Sequence, residues 1–224
     1  VEKFILEPFS MSHIFIRHAM ILVFLVLCGG WLWQCGHSSK SSYDSSAVVA
    51  ERKEKDAFFG EHYQSPLDEQ DRKEFKGLRY YAPKAEYVVS AVVERFVATD
   101  TLNIKTTQAT NVRMIRWGMV RFMWKNQPYT LVALKPMRGD DTPTNPMLHI
   151  YFTDATNDDI TYEGGRYLYA PYRTDMQTGD SVVIDFNHAF NPYCAYNAAF
   201  VCPLVLPENH LPLRIEAGEQ RFKK

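Results

Sequence analysis

After Gly77, no stretch of this chain keeps a 3.6-residue apolar period long enough for a core helix. That feature limits the possible folds more than any other. Short apolar and aromatic runs at 87–98, 112–117, 119–124, 129–134, 147–152, 166–169 and 181–186 read instead as strands. The links at 138–146, 154–159 and 174–180 are rich in Asp, Asn, Gly, Pro and Thr, which favour turns. Gly118 separates two of the runs, and Asn126-Gln-Pro marks a hairpin link. Parallel strands need crossovers of about a dozen residues or more, usually helical. No such segments lie between these runs, so the pairing is expected to be antiparallel.

Ahead of the strands, residues 47–64 are helical in pattern. Ser45 or Ser46 is placed to cap them, and Val48, Val49, Ala57, Phe58 and Phe59 supply the apolar positions. A second helix start follows, with Ser65 as cap, Pro66 as first helical residue, Asp68 in the first turn and Gly77 as the stop. The expected fold class is therefore α+β, mainly β with N-terminal helices, as an antiparallel β-sandwich or open barrel.

The N-terminal 46 residues read as targeting rather than fold. An apolar run covers residues 20–33 with Arg17 before it, Cys35 behind it and a Ser-rich stretch at 36–46. The run is short for a spanning helix, which needs roughly 20 apolar residues, and it fits the core of a secretory signal. Apolar run, cysteine and polar tether is the layout of a bacterial lipoprotein precursor, with Cys35 as the acylated residue. The expected division is a signal segment at 1–35, with 1–10 a start-site artefact, a tether at 36–46 and one domain at 47–224. The protein is then exported and membrane-anchored through an N-terminal lipid, or through the apolar run itself as an uncleaved anchor, facing the periplasm or the cell exterior.

The formal net charge is −1, and there is no polybasic stretch, so neither nucleic acid nor anionic lipid is an expected electrostatic partner. No nucleophile elbow, phosphate-binding loop, dinucleotide fingerprint or His-Glu-x-x-His motif is present. No cofactor is implied.

Two dense patches remain. Asp185-Phe-Asn-His-Ala-Phe-Asn-Pro-Tyr-Cys-Ala-Tyr-Asn is too rich in Asn, Pro and aromatics for a regular element and reads as a rigid loop. Tyr162-Glu-Gly-Gly-Arg is the other, with paired glycines and an arginine able to hold a carboxylate or phosphate at two points. These nominate Tyr162, Arg166, Asp185, Asn187, Asn191, Tyr193 and Asn197 as ligand-binding residues. Cys194 and Cys202 are expected to form a disulfide in an exported domain. The same pair could instead be two buried thiols, or Cys194 could be a nucleophile assisted by His188 or His210. A zinc site would use His188, Cys194, Cys202 and His210. The turn holding Asp154, Asp158 and Asp159 reads as a solvated loop, or less readily as a weak calcium site.

Phe152-Thr-Asp-Ala-Thr, Thr161-Tyr-Glu-Gly-Gly-Arg-Tyr-Leu, Asp185-Phe-Asn, Asn191-Pro-Tyr-Cys-Ala-Tyr-Asn, Cys202-Pro-Leu and Ala217-Gly-Glu together closely resemble the bacterial family called domain of unknown function 1684. The resemblance runs from about Ala47 to the C-terminus, with Glu163 standing where the pattern leads one to expect glycine. It implies a common fold and a common site, and no established activity, so no catalytic residue transfers. The leading expectation is a non-catalytic module whose β domain binds a small molecule or an envelope protein. The second is a hydrolase-like enzyme with a cleft between Tyr162, Arg166 and the 185–197 loop. The third is a zinc-stabilised domain.

Overall fold

The computed structural model of the protein describes residues 43–137 and 146–223, the side chain of Thr99 excepted. The residues expected to form a signal segment, Cys35 and most of the expected tether lie outside the described residues. Six principal strands are β1 (Val88–Lys105), β2 (Asn111–Trp124), β3 (Gln127–Pro136), β4 (Met147–Asp154), β5 (Arg166–Pro171) and β6 (Ser181–Asp185). They lie in the order β5-β4-β3-β2-β1-β6, every pair antiparallel. The two ends of this sheet approach each other. Just beyond β6, Phe190 exchanges backbone hydrogen bonds of 2.9 and 2.8 Å with Tyr167 of β5, so the sheet is nearly closed into a barrel. Near-closure removes the exposed edges on which other chains could pair.

Alternation along the strands sends Val120 and Phe122, Leu131 and Ala133, Leu148, Ile150 and Phe152, Leu168 and Ala170, and Val182 and Ile184 into one core inside the barrel. Each fully buried apolar side chain of this size stabilises by roughly 1.5–3 kcal/mol. The outer face of β2 to β5 is apolar as well. Met114, Val132, Leu134, Tyr151 and Tyr167 form a second cluster there, with Phe190, Phe200, Cys202, Val205 and Leu206 packed on it. A wall buried on both faces explains why β3 reads as a continuous apolar run.

Local chemistry sets the bends. Lys125 and Asn126, at φ 46° and 64°, form the two-residue turn between β2 and β3. Positive φ at both positions gives a turn whose twist matches that of the strands. The hairpin link is therefore one residue earlier than the sequence indicated, and Gln127 and Pro128 already pair on β3. Gly118 does not end a strand. It sits opposite Arg95 beside register shifts in both strands, where a Cβ would stand 2.7 Å from the Glu94 carbonyl oxygen. Only glycine lets β1 and β2 approach there.

β7 (His210–Leu211) pairs in parallel with the end of β4. Just before it, the buried Asn209 amide accepts the Val132 N–H at 2.7 Å and donates to the carbonyls of Val132 (3.0 Å) and Tyr151 (2.8 Å). One side chain thus bridges β3 and β4 where few ladder bonds join them.

Helix α1 (Ser46–Glu61) and the short α2 (Glu69–Glu74) precede the sheet. Their caps differ from expectation. The Asp44 carboxylate, rather than Ser45 or Ser46, accepts the Ser46 N–H at 2.9 Å. Asp68 caps α2 by accepting the Asp71 N–H at 2.8 Å. An ionised acceptor facing the helix dipole satisfies those N–H groups better than a hydroxyl. Ser65 instead donates to the Phe59 carbonyl at 2.6 Å and closes the end of α1. Among the described residues, no helix is long and apolar enough to cross a membrane.

Candidate functional site

The register of β4 on β5 places His149 directly opposite Tyr169 and Tyr151 directly opposite Tyr167, all on the outer face. Tyr151 and Tyr167 stack with ring centroids 3.8 Å apart, and His149 lies 4.4 Å from the Tyr169 ring. His149 Nδ1 is 3.0 Å from the Tyr151 hydroxyl. Phe190 meets Tyr169 edge-on at 5.1 Å, and Tyr193 meets Phe200 edge-on at 5.2 Å. Edge-on and offset rings of this kind satisfy the aromatic quadrupole and hold each other rigid.

Helix α1 forms the opposite wall, presenting Glu51, Arg52, Lys55 and Phe58. The result is a cleft of about 980 Å³ between α1, the outer face of β2 to β5, and the loop from Asn187 to Pro203. It is largely aromatic, with ionic groups toward α1. Clefts that hold drug-sized molecules measure roughly 300–1,000 Å³ and are lined in this way.

The α1 wall is fixed by charge and hydrogen bonds. Lys55 Nζ lies 2.7 Å from Glu219 Oε2 and about equally close to two rings, 5.1 Å from Phe190 and 5.4 Å from Phe59. Glu219, fully buried, also accepts the Tyr196 hydroxyl and, at 3.2 Å, the Asn191 N–H. Arg52 donates to the carbonyls of Tyr81 (2.8 Å) and Asn187 (3.0 Å). At the rim, His188 Nδ1 lies 2.6 Å from Glu51 Oε2, and Nε2 lies 3.6 Å from Asp185 Oδ2.

The model of the family described as "Protein of unknown function (DUF1684)" matches residues 73–220, which carry every strand. The chain belongs to the DUF1684 family. It is also similar to an uncharacterised protein of Haloarcula marismortui solved by solution NMR, with 33% identity and a TM-score of 0.63 over 79% of this chain and 93% of that one. No curated protein matches the chain.

In this DUF1684 domain the residues nominated from sequence divide sharply. Asn187 and Tyr193 line the cleft, as does Cys202. Arg166 does not reach it. Its side chain is fully buried, with Nη2 donating to Asp154 Oδ2 and to the Ile215 carbonyl (2.9 Å) and Nη1 donating to the Ala217 carbonyl. Asn191 is buried and donates to the Gln220 carbonyl at 2.8 Å, while Asn197 closes a turn by accepting the Ala199 N–H at 3.0 Å. The Asp185 carboxylate accepts the Asn187 N–H and amide at 2.9 and 2.7 Å, and Asn187 in turn brackets both backbone groups of Lys84. Tyr162 meets Cys194, with its hydroxyl 4.0 Å from the sulfur. The cleft therefore lies between α1 and the sheet, not between the Tyr162–Arg166 patch and the loop.

The histidines do not join the cysteines in a zinc site. His188 is engaged by Glu51, and His210 lies 3.1 Å from the Thr153 hydroxyl, so neither stands with Cys194 and Cys202. Among the described residues, no three His, Cys, Asp or Glu side chains could share a metal ion. The acidic turn is solvated only in part: Asp158 and Asp159 are exposed, Asp159 beside Arg214 at 3.0 Å, whereas Asp154 is buried on Arg166. Cys194 and Cys202 are free thiols, with the Cys194 N–H donating to Cys202 Sγ at 3.2 Å.

Sequence reasoning missed His149, Tyr151, Tyr167 and Tyr169, and it missed the α1 wall. A signal existed for the first group. His149/Tyr151 and Tyr167/Tyr169 are spaced by two, which puts each pair on one face of its strand. Arg166 has the parity of Leu168 and Ala170, and so faces inward.

The rim pair predicts a pH dependence. Its hydrogen bond with Glu51, reinforced by Glu51 and Asp185 charge, raises His188 above its ordinary 6.5 despite burial and the nearby Arg52. The same bond lowers Glu51 below its ordinary 4.5. The His188 contribution is complete below the unfolded value and fades as pH rises through the raised folded one. The Glu51 contribution is complete above its unfolded value and fades as pH falls through the lowered one. The contact between α1 and the loop is thus firmest between about pH 4.5 and 6.5. NMR titration of the His188 imidazole should show a midpoint that falls in Glu51→Gln. An unchanged midpoint would disprove the coupling.

Proposed function

We propose that this protein is a binding module whose aromatic cleft takes an amphipathic small molecule with a flat apolar body. The supporting observation is an aromatic wall on the outer face of a barrel whose interior is already filled: His149, Tyr151 and Tyr167 are buried and pack beside Tyr169, which with Tyr193 presents an exposed ring. Aromatic faces stack on flat apolar groups with little rotamer entropy to lose. Glu51, Arg52 and His188 at the rim suit a polar end. The apolar run, Cys35 and Ser-rich tether of the sequence support an exported, lipid-anchored setting in which the cleft faces away from the membrane's cytoplasmic side.

The test uses anilinonaphthalene sulfonate, a flat aromatic with one charged end. Saturable binding of one dye per folded chain is expected. Tyr169→Ala and Tyr193→Ala, each removing a ring that is 42% exposed, should each weaken it roughly tenfold, or about 1.4 kcal/mol. Equal binding by both variants and the parent would contradict the assignment.

A further inference from the structure

The thiols at the cleft floor carry chemistry that binding does not use. Cys202 is buried but lines the cleft, and Cys194 is half-buried behind it. The 3.2 Å hydrogen bond from the Cys194 N–H seats the Cys202 sulfur against the Tyr193–Ala195 turn, next to the Cys194 side chain. Cys202 keeps 6% of its surface exposed although it belongs to the outer apolar cluster, and because it lines the cleft beside a half-buried second thiol it can react with a molecule that enters there. We propose that Cys202 and Cys194 form a dithiol that exchanges with disulfides presented at the cleft, with Cys202 attacking and Cys194 resolving.

The asymmetry between the two sulfurs sets those roles. The Cys194 thiol, helped by the backbone N–H groups of Cys194 and Tyr193, holds Cys202 below the ordinary thiol range. The same contact, together with burial, pushes Cys194 up. The thiolate is the nucleophile in exchange. Cys202 S⁻ attacks one sulfur of R–S–S–R′, forming Cys202–S–S–R and expelling R′–S⁻, which takes up a proton. Cys194 then loses its proton and attacks Cys202 Sγ, expelling R–S⁻ and leaving the Cys194–Cys202 disulfide. Two protein thiols are oxidised by two electrons, and the substrate disulfide is reduced to two thiols. A dithiol reductant reverses the sequence.

The test uses the full chain carrying Cys28→Ser and Cys35→Ser, with dithiobis-nitrobenzoate as the probe disulfide. The native pair should release two equivalents of nitrothiobenzoate, retain none, and lose the mass of two hydrogens. Native dithiothreitol should restore both thiols. With Cys194→Ser added, one equivalent should be released and one retained on Cys202. With Cys202→Ser added, the reaction should be at least roughly tenfold slower. Retention of probe on both cysteines of the native pair, equal rates for the two single variants, or a disulfide reducible only after unfolding would each overturn the proposal. The native-pair stoichiometry needs no variant, so a variant that fails to fold does not remove the test. Protein that binds the naphthalene dye yet leaves both thiols reduced would overturn the exchange chemistry alone.

Discussion

Arg166→Met should lower unfolding stability by about 3–5 kcal/mol, the cost of breaking a fully buried ion pair from one side. Both side chains of the Arg166–Asp154 pair are inaccessible to solvent. Removing the guanidinium leaves the Asp154 carboxylate with only the Thr156 N–H and hydroxyl as donors. It also strips a donor from each of the Ala217 and Ile215 carbonyls, which tie the C-terminal segment to the barrel mouth. An unpaired charge in a low dielectric is the expensive product, not the lost attraction. Adding Asp154→Leu to Arg166→Met should therefore recover part of the loss. Urea unfolding followed by far-ultraviolet circular dichroism measures both. A loss under about 1 kcal/mol for the single variant, typical of exposed pairs, would refute this reading.

The second large effect is at Glu219. Glu219→Ala should cost about 3 kcal/mol, the lower end of the range for a broken buried pair, because Lys55 keeps some contact with solvent. The loss has three parts. The Lys55 ammonium is left among the Phe59, Phe190 and Tyr196 rings without its counter-charge. The Tyr196 hydroxyl and the Asn191 N–H lose their acceptor. Because Lys55 stands on α1, the same substitution should loosen one wall of the cleft and weaken dye binding along with stability. Glu219→Gln, whose single amide oxygen can still accept the Asn191 N–H while its NH2 faces the Tyr196 hydroxyl, should recover part of the stability but not the charge pairing. Equal melting curves for Glu219→Ala and the parent would contradict the role assigned to this residue.

These two residues show how far the sequence could be read. The strand runs, the antiparallel pairing and the family resemblance were all legible because period two and turn chemistry are local signals. The loop at 185–197 was legible as a rigid, irregular segment, and its residues from Asn187 to Tyr193 contribute to the lining of the cleft. Arg166 was misread because a guanidinium beside two glycines suggests anion binding, while its strand parity with Leu168 placed it inside. Glu219 stood out only as part of the Ala217-Gly-Glu string behind the family resemblance, and no role could be read for it. Its partners Lys55, Asn191 and Tyr196 are distant in sequence, and only the fold brings a lysine of the first helix onto a C-terminal carboxylate. The α1 wall was hidden for a related reason. Glu51, Arg52, Glu54 and Lys55 among its cleft-lining residues are charged, and on a helix such residues ordinarily mark a solvated face.

The cysteines illustrate a different limit. Spacing within one loop placed Cys194 and Cys202 together, but oxidation state and access depend on what surrounds the sulfurs. The structure sets them as free thiols beside a cleft, which turns a question of stapling into one of reactivity.

Binding at the aromatic cleft is tested most directly by mapping a flat aromatic probe on the protein. Full-length, isotope-labelled chain would be titrated with anilinonaphthalene sulfonate and the shifts of its amide and aromatic resonances followed. Saturable shifts at Tyr151, Tyr167, Tyr169, Phe190, Tyr193 and His188 are predicted, because these line the cleft between α1 and the sheet. Shifts gathered instead around Val92, Met123 and Val183, the apolar side chains exposed on β1, β2 and β6, would contradict the cleft as the binding site.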